Sequence, residues 1–161
     1  MSQRIFRPME RPDIVLLAGW LAALPLLQRY GFTADKAGAA LEQALRQADT
    51  LLVCDTEGTP GRACGLAWVM PTGGFGRSAY LRLLAVNEAY AGLGIGTGLL
   101  AHAEQLAARS TKDMLLLVSD FNVDAQRFYQ RQGYAQIGAI PDYVVPGVTE
   151  LLFRKLLASA P

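Results

Sequence analysis

Between Ala85 and Leu100 the chain reads AVNEAYAGLGIGTGLL, with Gly92, Gly94, Gly96 and Gly98 at alternate positions. Residues 80–86 upstream form an apolar run of strand length. Downstream, Leu99, Leu100, Ala103, Leu106 and Ala107 recur at helical spacing to about Arg109. A buried strand must therefore feed a helix through a stretch almost without Cβ atoms. Glycines there let backbone N–H groups approach a ligand closely and converge, and the first turn of the helix adds unpaired amides and partial positive charge. An anion is the expected occupant, and a pyrophosphate suits the site. A P-loop would end in Gly-Lys-Ser/Thr, but no lysine occurs between Lys36 and Lys112. A dinucleotide fingerprint would be G-x-G-x-x-G, whereas these glycines alternate strictly, lie past mid-chain and lack an evident ribose-binding acid. A glycine-rich turn without a ligand is the structural alternative.

Around this junction the pattern implies a mixed α/β (α+β) architecture with one sheet. Residues 3–7 alternate as a short strand, Asp13 is placed to cap a helix over 14–24, and Pro25 ends it. Thr33 is placed to cap a second helix to about Ala48, with Leu41 and Leu45 facing inward. Residues 51–54 and 63–70 form a hairpin about a turn containing Gly58, Pro60 and Gly61, and Gly73, Gly74 and Gly76 form a loop before the central strand at 80–86. Residues 114–118 are a further buried strand. A helix over 123–131 ends at Gly133, and strands at 134–137 and 150–156 complete the chain. With 161 residues, 52% hydrophobic and 18% charged, the sequence is expected to build one ordered domain over 1–161.

A formal charge of +1 supplies no field for gathering nucleic acid or acidic lipid. The uncharged run at 14–27 is shorter than the ~20 residues that span a bilayer. Arg4, Arg7 and Arg11 ahead of it suggest a secretory signal, but Glu10 and Asp13 argue against one, so a cytoplasmic protein is expected. Cys54 and Cys64 lack metal-knuckle spacing, and with His102 as the sole histidine no zinc set assembles. They are expected to be reduced core thiols, with a cross-strand disulfide as the alternative.

Taken together, V-x-x-x-Y-x-G-x-G-I-G from Val86 to Gly96 and N-x-x-A-x-x-F-Y-x-x-x-G-Y from Asn122 to Tyr134 resemble the GNAT (general control-related) N-acetyltransferase superfamily. The order of strands and helices is similar over nearly the whole chain. The resemblance implies a central mixed, mostly antiparallel sheet of about seven strands flanked by four helices, with acetyl-CoA as co-substrate and no metal. By the same resemblance, backbone groups of Leu84, Ala85 and Val86 would bind the pantetheine arm and polarise the thioester carbonyl. Backbone amides of Gly92, Leu93, Gly94, Ile95, Gly96 and Thr97 would hold the pyrophosphate, Asn122 would contact the pantetheine end, and Tyr129 would protonate the departing thiolate. Ala91 stands where the family usually has Arg or Gln, and Glu88 where a proline is common.

The residues carry their own chemistry beside the resemblance. A phenol of pKa about 10 can donate to a thiolate whose conjugate acid has pKa about 8.5, although Tyr129 could equally be a core aromatic. Asn122 also suits an N-cap, a role compatible with the first. The acceptor amine must lose a proton before it attacks; Glu88 is the candidate base, with a solvated turn acid as its alternative. His102 is read as structural, on the Leu99 and Leu106 side of its helix. The family analogy lines an acceptor pocket with the first two helices, around Trp20, Tyr30 and Phe32, and with the loop around Asp142 and Tyr143; these aromatic residues could equally serve packing or a homodimer interface. Acetyl transfer to a primary amine is the leading expectation, and a non-catalytic acyl-CoA-binding or regulatory module is the alternative.

Overall fold

The computed structural model describes residues 3–56 and 61–158, so the turn residues Gly58 and Pro60 lie outside the described part. In order, the elements are β1 (Ile5–Pro8), a 3-10 turn (Arg11–Asp13), α1 (Ile14–Ala23), α2 (Pro25–Arg29), α3 (Ala34–Arg46), β2 (Thr50–Asp55) and β3 (Gly65–Gly74). They continue with β4 (Ser78–Val86), a second 3-10 turn (Glu88–Tyr90), α4 (Ile95–Ala107), β5 (Asp113–Ser119), α5 (Val123–Arg131), β6 (Ala135–Pro141) and β7 (Thr149–Leu156). The seven strands form a mixed sheet in the order β1-β2-β3-β4-β5-β7-β6. Pairing is antiparallel for β1/β2, β2/β3, β5/β7 and β6/β7, and parallel for β4/β5.

The chain divides into two compact units, Met1–Val69 with Leu83–Ala103, and Met70–Arg82 with Glu104–Pro161. In the first, α1 and α3 bury Leu17, Leu21 and Leu41 with Val53, Leu66 and Trp68 of the strands. Thr33 caps α3 by accepting from the Lys36 amide at 3.3 Å, and Leu41 is buried while Leu45 is half-buried. Gly65 has α4 close above it: a Cβ there would stand 2.8 Å from Ile95 and 2.9 Å from Leu99. In the second unit, Phe153, Met114 and Leu116 are fully buried. There Tyr134 Oη donates to Glu104 at 2.9 Å, Lys155 Nζ pairs with Glu104 at 2.8 Å, and Arg154 pairs with Asp113 at 2.7 Å.

Several elements depart from the sequence reading. The helix over 14–24 ends before Pro25 as expected, because the residue before a proline is driven out of the α region and Leu24 is extended at φ −70°, ψ 126°; the departure is that Pro25 opens a further short helix, α2. Five α-helices therefore flank the described sheet rather than four. Gly73 and Gly74 end β3 instead of forming a loop; Tyr80 and Ser78 crowd the positions their Cβ atoms would take, and the turn lies at 75–77. Asp13 begins α1 without a side-chain cap. Its carboxylate is fully buried and takes two hydrogen bonds from Arg7 at 2.8 and 2.9 Å, one from the Glu10 amide at 2.9 Å and one from the Gly61 amide at 2.6 Å. Burial works to raise its pKa, but the Arg7 hydrogen bond and the two amides outweigh that and hold it below the usual carboxylate value. Cys54 and Cys64 are free and buried, with the Cys64 thiol 3.2 Å from the Cys54 carbonyl. The Cys64 thiol and burial push the Cys54 pKa up, so it stays protonated.

Candidate active site

The carboxyl end of β4 is where the first unit becomes concave. A cleft of about 270 Å³ is lined by Leu24, Pro25, Leu26 and Leu27 from the α1/α2 elbow, by Leu83, Leu84, Ala85 and Val86, and by Glu88. The elbow exists because Pro25 breaks the helix, and its leucines, part of the apolar run at 14–27, were not among the residues expected to line a pocket. An interrupted apolar helix was the available signal. The pairing of β4 with β5 runs through Ala79, Tyr80 and Leu81, and Leu84, Ala85 and Val86 lie beyond it.

After β4 the chain is held stepwise. The Asn87 amide donates to the Cys64 carbonyl at 2.8 Å, the Asn87 side chain accepts from the Ala89 amide at 3.1 Å, and the Ala91 amide closes the 3-10 turn on the Glu88 carbonyl. From there the backbone is open. The first bond of α4 is from the Gly98 amide to the Gly94 carbonyl at 3.1 Å, and the amides at 92–97 donate to no carbonyl among the described residues. Gly92 and Gly94 have φ of 76° and 74°, values glycine adopts without strain. Gly92, Leu93, Gly94 and Thr97 are exposed, Gly96 is half-buried, and Ile95 is buried and anchors the helix start. Gly98 serves packing instead: a Cβ there would collide with the Phe6 ring of β1.

Arg4, at the approach to β1, brings its guanidinium against this loop; one terminal nitrogen lies 2.9 Å from where a Cβ of Gly94 would stand. No sequence pattern pointed to it.

Asn122 and Tyr129 belong to the second unit. Asn122 is half-buried and caps α5, its side chain accepting from the Ala125 amide at 3.2 Å. Gln126 fixes the preceding turn by donating to the Ser119 and Asp120 carbonyls at 3.1 and 3.0 Å. Tyr129 is half-buried, edge-on to Phe128 at 5.1 Å and to Tyr134 at 5.7 Å. Unlike Tyr134, it has no hydrogen-bond partner for its hydroxyl among the described residues. Burial raises its pKa above the ordinary phenol value, so it is protonated at neutral pH.

The other candidates are distributed by burial. Glu88 is exposed on the cleft's edge. His102, three residues after the buried Leu99 on α4, is itself exposed, stacked on Phe6 at 4.5 Å, with Nδ1 2.8 Å from the Gly98 carbonyl. Trp20 is a core residue whose indole donates to the Ala63 carbonyl at 3.1 Å, and Phe32 packs on the same core, so neither lines the cleft. Tyr30 is half-buried at the end of α2. In the second unit Asp142 has φ 54° and accepts from the Gly147 amide at 2.6 Å, beside an exposed Tyr143.

The family model described as "Acetyltransferase (GNAT) family" matches residues 20–134. A blasticidin-S acetyltransferase of Streptomyces morookaense is 32% identical over 85% of this chain and 100% of its own length. The chain belongs to the GNAT acetyltransferase family. It is an acyltransferase by that membership, and the mixed seven-stranded sheet is a GNAT fold. An N-acetyltransferase from Staphylococcus aureus Mu50 superposes with a TM-score of 0.81 at 15% identity, covering 98% of this chain and all of the other. A Salmonella typhimurium structure solved with its cofactor acetyl-CoA superposes with a TM-score of 0.74 at 17% identity, covering 98% and 95%. Among the described residues no helix is long and apolar enough to cross a membrane.

Proposed function

We propose that this GNAT enzyme moves an acetyl group from acetyl-CoA directly to a primary amine. The observation that carries the reading is the run of largely exposed amides at 92–97, unpaired among the described residues, which follows β4 after the short 3-10 turn at Glu88–Tyr90. The residues present fit the coenzyme. Six amide donors at the start of a thirteen-residue helix suit a diphosphate, and the absence of side chains at Gly92 and Gly94 lets it come close. When bound, acetyl-CoA supplies an activated acyl carbon with thiolate as its leaving group.

The chain's own residues do the rest. Backbone groups of Leu84, Ala85 and Val86 hold the pantetheine arm, an N–H among them polarises the acyl carbonyl, and Asn122 contacts the arm's end. Glu88 at the cleft edge accepts the proton of the incoming ammonium, directly or through water, leaving a nitrogen lone pair to attack the carbonyl carbon. As the carbon–sulfur bond breaks, Tyr129 donates its proton to the sulfur, and the second proton shed by the nitrogen as it becomes an amide returns through water to Tyr129. The apolar elbow at 24–27 excludes water from the acceptor's side. The reaction uses no metal ion or nucleic acid, and residues 1–161 act as one cytoplasmic catalytic domain, able to work alone or as a homodimer. Similarity to the Streptomyces enzyme makes blasticidin S the first acceptor to test.

The experiment is free-thiol release from acetyl-CoA across a panel of amines that includes blasticidin S. Amine-dependent release is expected; none with any amine, in a protein that still binds acetyl-CoA, would favour the second reading, a non-catalytic acyl-CoA-binding module. Ala91 motivates that reading, since it deprives the loop of a side-chain phosphate contact.

A further inference from the structure

The loop at 86–100 carries no lysine or arginine and one acid, Glu88, so its own side chains repel rather than hold a diphosphate. Arg4 supplies a cation from elsewhere in the same unit. Its guanidinium rests against Gly94, in the middle of the open amide run, close enough that any Cβ at Gly94 would displace it. Arg4 is exposed and forms no hydrogen bond or ion pair with another described residue, whereas nearby Arg7 is held by Asp13 and Asp55 at 2.8 and 2.7 Å. A guanidinium has donors in a fixed fork that matches two phosphate oxygens, and a side chain that spends none of them on a described residue has none of those bonds to give up on binding.

We propose that Arg4 takes over the pyrophosphate contact that Ala91 cannot make, so that the phosphate grip is assembled from β1 and the loop before α4. The assignment rests on the acetyl-CoA reading above and names a coenzyme-positioning residue that the motif does not contain. It also explains a second demand on Gly94, which must both adopt a positive φ and leave room for the guanidinium.

The test is calorimetric binding of CoA, 3′-dephospho-CoA and S-acetylpantetheine to the wild type, Arg4→Ala, and the double variant Arg4→Ala/Ala91→Arg. Arg4→Ala should weaken both CoA and 3′-dephospho-CoA about tenfold, as expected for loss of an ionic hydrogen bond at a partly exposed site, and leave S-acetylpantetheine unchanged. The loss should shrink as salt is raised, and Ala91→Arg in the same chain should restore most of it. An unliganded melting temperature equal to the wild type's shows that the fold is intact. Equal CoA affinity in wild type and Arg4→Ala overturns the assignment and leaves the coenzyme reading standing. A loss seen with CoA but not with 3′-dephospho-CoA moves Arg4 to the 3′-phosphate and overturns it too, as does an equal loss with S-acetylpantetheine. A wild type that binds neither CoA form removes the coenzyme reading and this assignment together.

Discussion

At the scale of single residues, Tyr129 and Tyr134 show how two neighbouring phenols acquire different uses. Tyr134 is buried with its hydroxyl committed to Glu104, while Tyr129 keeps a hydroxyl without a partner among the described residues. Replacing Tyr129 by Phe should lower kcat by about 10²- to 10⁴-fold, the range for a general acid, with CoA affinity nearly intact. Unchanged turnover would remove it from the mechanism. Asp13 carries a concentrated share of the buried polar contacts, since its carboxylate answers Arg7 and two amides in a fully covered position. Asp13→Asn should destabilise the fold by about 3 kcal/mol at pH 7, measured by urea unfolding, because it leaves Arg7 short of charge compensation. Asp13's pKa is lower folded than unfolded, so its contribution is complete above the unfolded value near 3.9 and is lost as pH falls through the folded value. The gap between wild type and variant should therefore close in that acid range. A gap that stayed constant would show that the loss is steric rather than ionic.

Among elements, β1 and α4 approach closely enough that a Cβ at Gly98 would collide with Phe6. Phe6 lies over Gly98 and stacks on His102, whose ring also bonds the Gly98 carbonyl. The four alternating glycines therefore divide their labour. Gly92 and Gly94 shape the open loop, Gly96 lies in the first turn of α4, and Gly98 admits an aromatic ring. Gly98→Ala should cost about 1–3 kcal/mol by overpacking, despite alanine's better helix propensity, and a melting temperature at or above wild type would refute that account. Because Arg4 lies two residues before Phe6, the same substitution should weaken CoA binding. The α1/α2 elbow is a second case of local chemistry with a remote effect. Proline's restriction on Leu24 turns a would-be continuous helix into the wall of a cleft.

For the whole chain, a ligand that binds only the folded form must stabilise it. At a hundredfold excess over its Kd, acetyl-CoA should contribute about 2.7 kcal/mol, which for a chain of this size raises the melting temperature by about 5–10 °C. One cooperative transition that moves as a whole would support a single domain over 1–161. Two transitions, with one shifted, would assign the coenzyme to one unit.

Much of this protein was readable without coordinates. Alternation and helical spacing located the seven described strands and every described α-helix except α2, though not the extension of β3 through Gly73 and Gly74, and the paired motifs around Gly92 and Tyr129 pointed to the family. Those signals are local, set by backbone preferences and by which face of an element is apolar. What the sequence could not rank was residues of the same type. Trp20 and Tyr143 look alike as aromatic candidates, yet one is sealed by the Ala63 carbonyl and the other is exposed. Asp13 looks like a helix cap until β1 brings Arg7 beside it, and Arg4 looks like any surface cation until the same strand carries it to Gly94. The chain's own order determined its elements, its open amide run and its kinship. Tertiary structure alone decided which charges are compensated and which are left for a ligand, because that depends on groups up to ninety residues apart meeting in space.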